Sequence, residues 1–463
     1  MAQHLTPLDA TFLELEESDE TAHMHIGALL VFDPLPGGGT PSFEEGLAHL
    51  EQRIEALPRY RQRLSEPRTG GLSWPSWEAD DEFDIRNHVH RAALPAPGGE
   101  SELMEWLGNY WSHRLDRRRP LWDAVLLEGL EKGRWAICTK THHCLVDGVG
   151  SLDIGYVLLD TSRRPNGGWA EHAAKPPDED DPNVLQRLLH GARSGLDAAV
   201  HPHRLTEMIH HSKALAELIV RDELVAAPHS SLNRPISSER RYAVVHATLK
   251  QVKDVKNALG GTVNDVALAS VTGGLRRLLL ARGEEPPERG LRAMVPMNIR
   301  PAGDQLSLGN QITSLFVHLP VAEPEPEHRY RLSMAEAEGL KSGTQAIGGE
   351  TLLQVAGVAP PVLHSFLARS LFASRLFNVT VTNVPGPQIP LYAMGAKLRE
   401  IYPLVPIAAE HAIGIAVMSY NGHIVFGVNA DRDTVPDVDE LVDGIRESFA
   451  ELRRLARKAG AAA

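Results

Sequence analysis

Two adjacent histidines, His142 and His143, followed by Asp147 and Gly148, are the residues whose types and spacing point most directly to chemistry. A neutral imidazole can remove a proton near physiological pH, so this pattern contains a candidate general base. Asp147 could orient an imidazole, as in a catalytic triad, or point inward and pair with an arginine that rigidifies the loop. Gly148 permits a tight turn, where a bulkier residue would obstruct an approaching ligand.

The segment before the histidines, residues 135–141, alternates like a strand that leads into the motif. Successive side chains of a strand point to opposite faces, so a strand that continues into the motif would separate His142 from His143. We therefore expect one histidine to do chemistry and the other to hold the loop. The same divergence disfavours a chelating pair, and no Glu-x-x-His or Cys-x-x-Cys motif lies nearby. We expect no metal.

The chain lacks the usual signals of a covalent nucleophile. No serine has a Gly-x-Ser-x-Gly context, which disfavours a serine hydrolase. Cys144 follows His143, but neighbours on an extended chain rarely hydrogen-bond through their side chains, so we expect a small buried residue. A general base without a nucleophile of its own implies direct transfer. In such a reaction the base deprotonates an acceptor hydroxyl, which attacks an activated acyl group. Positioning and oxyanion donors must then add to the roughly 10²–10⁴-fold effect of a base.

Bulk properties exclude several classes of protein. The chain has 463 residues, 43% hydrophobic and 23% charged, which is typical of a soluble globular protein with two domains. A net charge of -13 and the lack of a nucleic-acid motif predict no nucleic-acid partner. We find no signal peptide and no run of eighteen apolar residues. Two cysteines fit a reducing cytoplasm, with any membrane contact peripheral.

Strand and helix patterns alternate in two similar halves, which predicts an α/β or α+β fold with mixed sheets. A segment rich in prolines and acids, 161–183, separates them. We expect an N-terminal domain over 1–180, a helical linker over 181–240 and a C-terminal domain over 241–463. Strands are expected at 24–33, 83–94, 135–141, 291–301 and 310–320, with a strand and turn over 378–395. Helices are expected at 5–13, 42–57, 101–115, 327–346 and 438–458.

The motif HHCLVDG resembles the HHxxxDG motif of acyl-CoA-dependent acyltransferases built like chloramphenicol acetyltransferase and condensation domains. Other blocks follow in the order seen in the bacterial wax ester synthase/diacylglycerol acyltransferase family, which the chain resembles over nearly its whole length. They are PLWDAVLLEGL at 120–130, Asn264-Asp265, VPMNIR at 295–300, GNQ at 309–311 and TNVPGP at 382–387.

This resemblance implies an enzyme, a diacylglycerol O-acyltransferase or long-chain-alcohol O-fatty-acyltransferase, with two chloramphenicol-acetyltransferase-like domains and a tunnel between them. The motif would lie at the interface, with His143 as general base and His142, Asp147 and Gly148 beside it. Acyl-CoA would enter from one side as a substrate, and diacylglycerol or a long-chain alcohol from the other. No cofactor is implied. Asp147 would pair with Arg300 as a structural salt bridge, which displaces the triad role.

Further residues are candidates for the substrate site. Asn264 would position the substrate or stabilise the oxyanion, and Asn383, in the loop before Pro385, competes for that role. Either substrate binding or simple packing would explain Pro120, Leu121 and Trp122. Gly386 is a substrate-site candidate or a turn residue. The basic run at 117–119 would bind CoA phosphates or be a solvated surface.

Two other functions fit the same residues. The donor could be a carrier-protein thioester and the acceptor a polyketide or peptide. Alternatively, the chain could be a lipid-binding or lipid-droplet protein with an inactive site, although the complete motif argues against this. The apolar segment 352–377 could contact lipid or form core. We therefore expect a cytoplasmic protein that can also lie at the surface of a membrane or lipid inclusion.

Overall fold

The computed structural model describes residues 3–5, 7–66, 74–145, 157–164, 227–298, 312–342 and 376–462. The elements of the N-terminal half are β1 (Gln3–His4), α1 (Pro7–Ser18), β2 (His25–Phe32), α2 (Phe43–Ile54), β3 (Gln62–Leu64), β4 (Ser76–Ala79), β5 (Val89–Ala93), α3 (Glu100–Trp111), β6 (Trp122–Glu128) and β7 (Trp135–His142). Those of the C-terminal half are β8 (Arg240–Thr248), α4 (Leu249–Leu259), α5 (Val263–Ala281), β9 (Leu291–Asn298), β10 (Ile312–Leu319), α6 (Pro326–Ser342), β11 (Val379–Pro385), β12 (Tyr392–Ala393), β13 (Ala396–Leu404), β14 (Ile413–Tyr420), β15 (His423–Asp431) and α7 (Val438–Ala462).

The predicted elements in the described ranges are confirmed in type, except that the strand expected at 83–94 begins only at Val89, after a 3₁₀ turn over Ile85–Asn87. One extension matters for the site. Helix α1 was expected to end near Leu13, but it continues to Ser18. Its inner face continues through Leu15 and Glu16, which are both buried, while Glu17 is exposed. The polar sequence of this last turn concealed a buried carboxylate. The predicted linker helix over 184–226 lies outside the described residues, as does most of the apolar segment 352–377.

The N-terminal sheet has six strands in the order β12-β13-β2-β7-β6-β5. Strand β7 is central, antiparallel to β2 and β6, and all eight of its residues are buried. Its pairing with β2 places His142 opposite His25. A strand covered on both faces can end in a loop that the rest of the domain holds firmly, and this loop carries the histidine motif.

The C-terminal sheet also has six strands, in the order β10-β9-β11-β14-β15-β8. Strand β11 is parallel to both of its neighbours, β9 and β14, and all other neighbouring strands are antiparallel. Helix α5 packs against this sheet, and every residue from Asp265 to Gly274 is buried. The helix begins at Thr262, whose hydroxyl and backbone N–H both donate to the Asp265 carboxylate in a capping box. The mixed α/β class is therefore confirmed for both halves.

The C-terminal half also contributes two strands to the N-terminal sheet, which the sequence analysis did not predict. Strand β13 pairs with β2, and β12 forms a hairpin with it. The hairpin turns at Met394 and Gly395, both with positive φ (50° and 80°), as expected for a two-residue primed turn. The predicted division near residue 241 thus does not separate the two sheets, because the chain returns across it.

Helix α3 joins the two halves. Its apolar face, with Leu107 and Trp111, shares a core cluster with Cys138 of β7 and Tyr242 of β8. A Cβ at Gly108 would lie 2.7 Å from the carbonyl oxygen of Arg240, so only glycine allows this approach of helix to strand. Contacts across the junction therefore place the motif-bearing sheet directly against the C-terminal half.

Candidate active site

The histidine motif occupies the end of β7 and the turn after it. Strand β7 ends at His142, whose backbone N–H donates to Leu121 O at 2.9 Å. His143 begins the turn, and its N–H donates to Met24 O at 2.8 Å, at the entry to β2. The expected strand therefore reaches the first histidine only. These two backbone hydrogen bonds to neighbouring segments fix the backbone at the start of the turn that carries His143.

His142 is a structural histidine with a fixed tautomer. The backbone N–H of Cys144 donates to His142 Nδ1 at 3.1 Å, so Nδ1 carries a lone pair and the proton lies on Nε2. Nε2 lies 3.2 Å from Oε2 of Glu16, and the side chain is fully buried. Nδ1 thus accepts a hydrogen bond within the turn, and Nε2 faces the Glu16 carboxylate.

Glu16 is the buried anion of the site, and the sequence analysis missed it. Its Oε1 lies 3.4 Å from His25 Nε2, and an Arg114 guanidinium nitrogen lies 3.5 Å from Oε2. Burial alone would raise the carboxyl pKa, but the contacts with His142 and His25 outweigh it and hold the pKa far below its ordinary range. Glu16 therefore stays ionised between imidazoles.

The neighbouring histidines are neutral. Burial lowers the pKa of His25 to about 3, against the opposing effect of Glu16. Burial, with help from the charge of Arg240, lowers the pKa of His23 to about 4. One signal could have found this group: His23 and His25 alternate at the start of a strand, and an acid lies on the preceding helix.

His143 has different surroundings from His142. Its ring stacks on Phe12, with centroids 3.8 Å apart and planes inclined by 16°. Nδ1 is enclosed and is oriented towards the residue's own carbonyl oxygen, while the side chain as a whole stays partly exposed. Burial lowers its pKa to about 4, so at neutral pH the ring is uncharged. Nε2 then remains as the nitrogen available to an acceptor.

Helix α1 accounts for the different surroundings of the two histidines. Strand alternation does not separate the rings as expected, because the strand ends at His142 and both rings contact α1. They do so one helical turn apart, His143 at Phe12 and His142 at Glu16. The same helix thus gives His143 an aromatic neighbour and His142 a carboxylate neighbour.

Asp147, Gly148 and Arg300 lie outside the described residues, so the proposed salt bridge stays a prediction. The chain after the motif is anchored where its description resumes. Arg53 pairs with Asp160 at 2.6 Å in a buried ion pair and also donates to Val157 O at 3.3 Å. This anchor joins α2 to a position over a hundred residues away, and it was not predicted from the sequence.

The structure brings the two competing asparagines together. Asn383 Nδ2 donates to Asn264 Oδ1 at 3.3 Å, and both side chains are half-buried. Asn264 is the second residue of α5, whereas Asn383 lies within β11 opposite Val417 rather than in a loop. In this amide orientation no acceptor among the described residues pairs with the Nδ2 hydrogens of Asn264, which lie at the positive end of a helix.

The Pro120-Leu121-Trp122 block supports the motif from behind. All three residues are buried, and the Trp122 indole donates to Tyr60 O at 2.7 Å and stacks on His88 at 4.6 Å. These contacts favour packing, and a substrate contact by this block stays a prediction.

Gly386 and the basic run have local roles. A Cβ at Gly386 would lie 2.2 Å from Ser419 O, so this glycine permits a close backbone approach in the turn. Arg117 pairs with Glu17 at 2.8 Å, and Arg118 pairs with Asp116 at 2.9 Å. Arg119 lies 3.9 Å from Asp116. The three arginines form surface ion pairs, which favours the solvated interpretation.

The described residues include neither a membrane-spanning helix nor a cluster of metal-binding side chains. No helix there is both long and apolar enough to cross a membrane. No group of three or more histidine, cysteine, aspartate or glutamate side chains is placed there to hold a metal ion.

The chain matches two family models in tandem. Residues 5–267 match the wax ester synthase/diacylglycerol acyltransferase catalytic domain, and residues 308–453 match the C-terminal domain of the same family. Among similar proteins is a probable diacylglycerol O-acyltransferase of Mycobacterium tuberculosis, 35% identical over 99% of this chain and 98% of the relative. A second such protein of that organism is 32% identical over 97% of this chain and 98% of the relative.

Solved structures agree in fold. The wax ester synthase/diacylglycerol acyltransferase of Marinobacter aquaeolei superposes with a TM-score of 0.71 at 29% identity, covering 98% of this chain and all of the other. The first condensation domain of the CDA synthetase gives a TM-score of 0.60 at 16% identity, over 98% of this chain and 96% of that one, a likeness of fold alone. The chain belongs to the wax ester synthase/diacylglycerol acyltransferase family.

Proposed function

We propose that this protein is an acyl-CoA-dependent O-acyltransferase that transfers a long-chain acyl group to diacylglycerol, to a long-chain alcohol, or to both. One observation carries the mechanism: the two histidines have divided roles. Cys144 N–H donates to Nδ1 of His142 and Glu16 lies 3.2 Å from its Nε2, whereas the enclosed nitrogen of His143 is Nδ1, which leaves Nε2 for substrate. Family membership and the names of the relatives support the reaction class.

In the proposed reaction, His143 Nε2 takes the proton of the acceptor hydroxyl while its oxygen attacks the thioester carbonyl carbon. A C–O bond forms and the carbonyl oxygen becomes an oxyanion. The C–S bond then breaks, and the sulfur of CoA takes the proton that His143 has held and leaves as the free thiol. The products are an ester and free CoA, and no covalent enzyme intermediate is needed.

We assign oxyanion stabilisation to Asn264. Its hydrogen bond from Asn383 fixes the amide, and its position in the first turn of α5 adds the helix N-terminus. Removal of one such donor typically lowers kcat by roughly 10²–10³-fold. We further propose that Asp147 pairs with Arg300 to shape the loop, and that 1–180, 181–240 and 241–463 are the domains and linker. Peripheral contact with a lipid surface would supply a membrane-dissolved acceptor.

The test is an acyl-transfer assay with oleoyl-CoA and either diolein or hexadecanol, measuring released CoA and the ester formed. Wild type should form ester, and His143→Ala should lose nearly all CoA release. Undiminished release in that variant would overturn the base assignment. Transfer only from an acyl-carrier protein would indicate the carrier-dependent function instead. Tight lipid binding without turnover on any acyl-CoA would indicate a lipid-binding protein.

A further inference from the structure

A cleft of about 640 Å³ opens at the junction of the two halves, away from the residues assigned above. One side is α3, which contributes Glu100 and Glu105. The other side comes from the C-terminal half, with Arg241 on β8, Arg432 after β15, and Asp439 and Arg446 on α7. The cleft volume lies within the roughly 300–1,000 Å³ usual for small-molecule sites. The cleft therefore has an acidic side from α3 and a mainly basic side from the C-terminal half.

The arginines of this cleft are loosely held. Arg241 lies 2.7 Å from Asp439, whose side chain is 71% exposed. Arg446 contacts Asp443 at 2.9 Å and donates to Val244 O at 3.0 Å. Arg432 is exposed, and no carboxylate of the described ranges pairs with it. Exposed pairs contribute only about 0–1 kcal/mol, so an anionic ligand could replace these carboxylates at little cost.

The acidic side narrows the chemistry of the ligand. Glu105 is exposed, and Glu100 lies 3.5 Å from His246, so both carboxylates can accept hydrogen bonds. A ligand that fits must carry anionic groups on one side and hydroxyl or amino donors on the other. Inorganic phosphate is too small to reach both sides of a cleft of about 640 Å³, and a flat lipid surface cannot enter a recess between two walls. A phosphorylated nucleotide has both.

Contacts of Arg240 connect the cleft to the turn that carries His143. Arg240 lines the cleft, and the guanidinium of Arg240 donates to Thr21 O, three residues before Met24. Met24 O in turn holds the backbone of His143. The protein carries a net charge of -13, which repels an anion overall, so a local cluster of arginines is needed to bind one.

We propose that this cleft binds the phosphorylated nucleotide of the acyl-CoA donor. Its phosphates would contact Arg241, Arg432 and Arg446, and its ribose and adenine donors would face Glu100 and Glu105. The proposal rests on the proposed function, because it assigns part of the donor of that reaction. It assigns the phosphates to this cleft rather than to the basic run at 117–119, which does not line the cleft.

The test compares Arg432→Gln and Arg446→Gln with Arg86→Gln, an exposed arginine paired to Glu44 at 3.0 Å outside the cleft. Both cleft variants should raise the KM for oleoyl-CoA about tenfold and leave kcat and the KM for diolein unchanged. With oleoyl-pantetheine, which lacks the nucleotide, they should match wild type. In calorimetry, 3′,5′-ADP should bind wild type and Arg86→Gln but lose about tenfold in affinity to the cleft variants.

Unchanged KM values in both cleft variants would overturn the assignment and leave the proposed function intact, provided that wild type transfers acyl groups. Equal wild-type KM values for oleoyl-CoA and oleoyl-pantetheine would also overturn it. So would reduced binding of phosphatidylglycerol vesicles with unchanged 3′,5′-ADP affinity, which would show a lipid-headgroup site. If wild type does not transfer the acyl group of oleoyl-CoA, the proposed function itself fails.

Discussion

Replacement of Glu16 by glutamine tests how the catalytic turn is held. The carboxylate lies 3.2 Å from Nε2 of His142 and 3.4 Å from Nε2 of His25, inside a buried site. The amide has nearly the same shape but only one acceptor oxygen, so its NH₂ group must face one of the two N–H donors. A buried donor left without a partner costs about 1–3 kcal/mol of unfolding free energy.

The effect on catalysis should exceed the effect on stability. Nδ1 of His142 accepts the backbone N–H of Cys144, and His143 lies between these two residues in the turn. A shift of about 1 Å in a catalytic group can cost around 10²-fold in rate, so we expect kcat to fall about a hundredfold in Glu16→Gln. The KM for acyl-CoA should change little, because Glu16 does not line the proposed donor cleft.

The assay is steady-state CoA release with oleoyl-CoA and diolein, together with thermal unfolding of the same samples. Glu17→Gln is the matched control, since Glu17 is the next residue on α1 and forms only an exposed pair with Arg117. That pair should contribute at most about 1 kcal/mol, so the control should keep wild-type kcat. A folded Glu16→Gln enzyme with wild-type kcat would refute the anchoring role of Glu16.

Three further predictions follow from pKa values and packing. Because the pKa of His143 is about 4, kcat/KM should stay level from pH 8 to about 5.5, and a fall centred near 6.5, the unperturbed value, would contradict this. His23 and His25 have folded pKa values of about 4 and 3, below their unfolded value, so the unfolded chain binds protons first as pH falls below about 6.5. Unfolding free energy should then drop by about 2 kcal/mol per group at pH 5, and an unfolding temperature that is constant from pH 7 to 5 would exclude it. Gly108→Val should push α3 away from Arg240 O and lower the unfolding temperature by several degrees, whereas Gly37→Val, in open space, should not.

Much of the fold could be predicted because its signals are local. Strand β7 and the motif at its end follow from alternation and from residue types that are adjacent in sequence. The cap of α2 could be expected from Ser42 and Glu45, three residues apart. The roles of the motif residues came from the resemblance to a family, since spacing alone left a triad open.

The missed features depend on contacts between distant segments. The pairing of β13 with β2 joins residues that are more than 350 positions apart, and no pattern within 396–404 indicates which sheet it enters. Glu16 sits among charged neighbours that suggest an exposed turn, and only the register of His25 opposite His142 shows why it is buried. Arg53 and Asp160 likewise meet only after the domain has folded.

The same long-range contacts explain why the catalytic turn needs both halves of the chain. The ammonium group of Lys140, on β7, donates to the carbonyl oxygens of Tyr110 at 2.6 Å and His113 at 2.8 Å, which fixes the end of α3. Ser112, between them, accepts the backbone N–H of Arg240 at 2.8 Å, and the guanidinium of Arg240 reaches back to the turn before β2. That turn leads to the carbonyl that holds His143. Contacts through both halves therefore fix the position of the proposed base, and we expect an N-terminal half alone to retain the motif without this arrangement of its histidines.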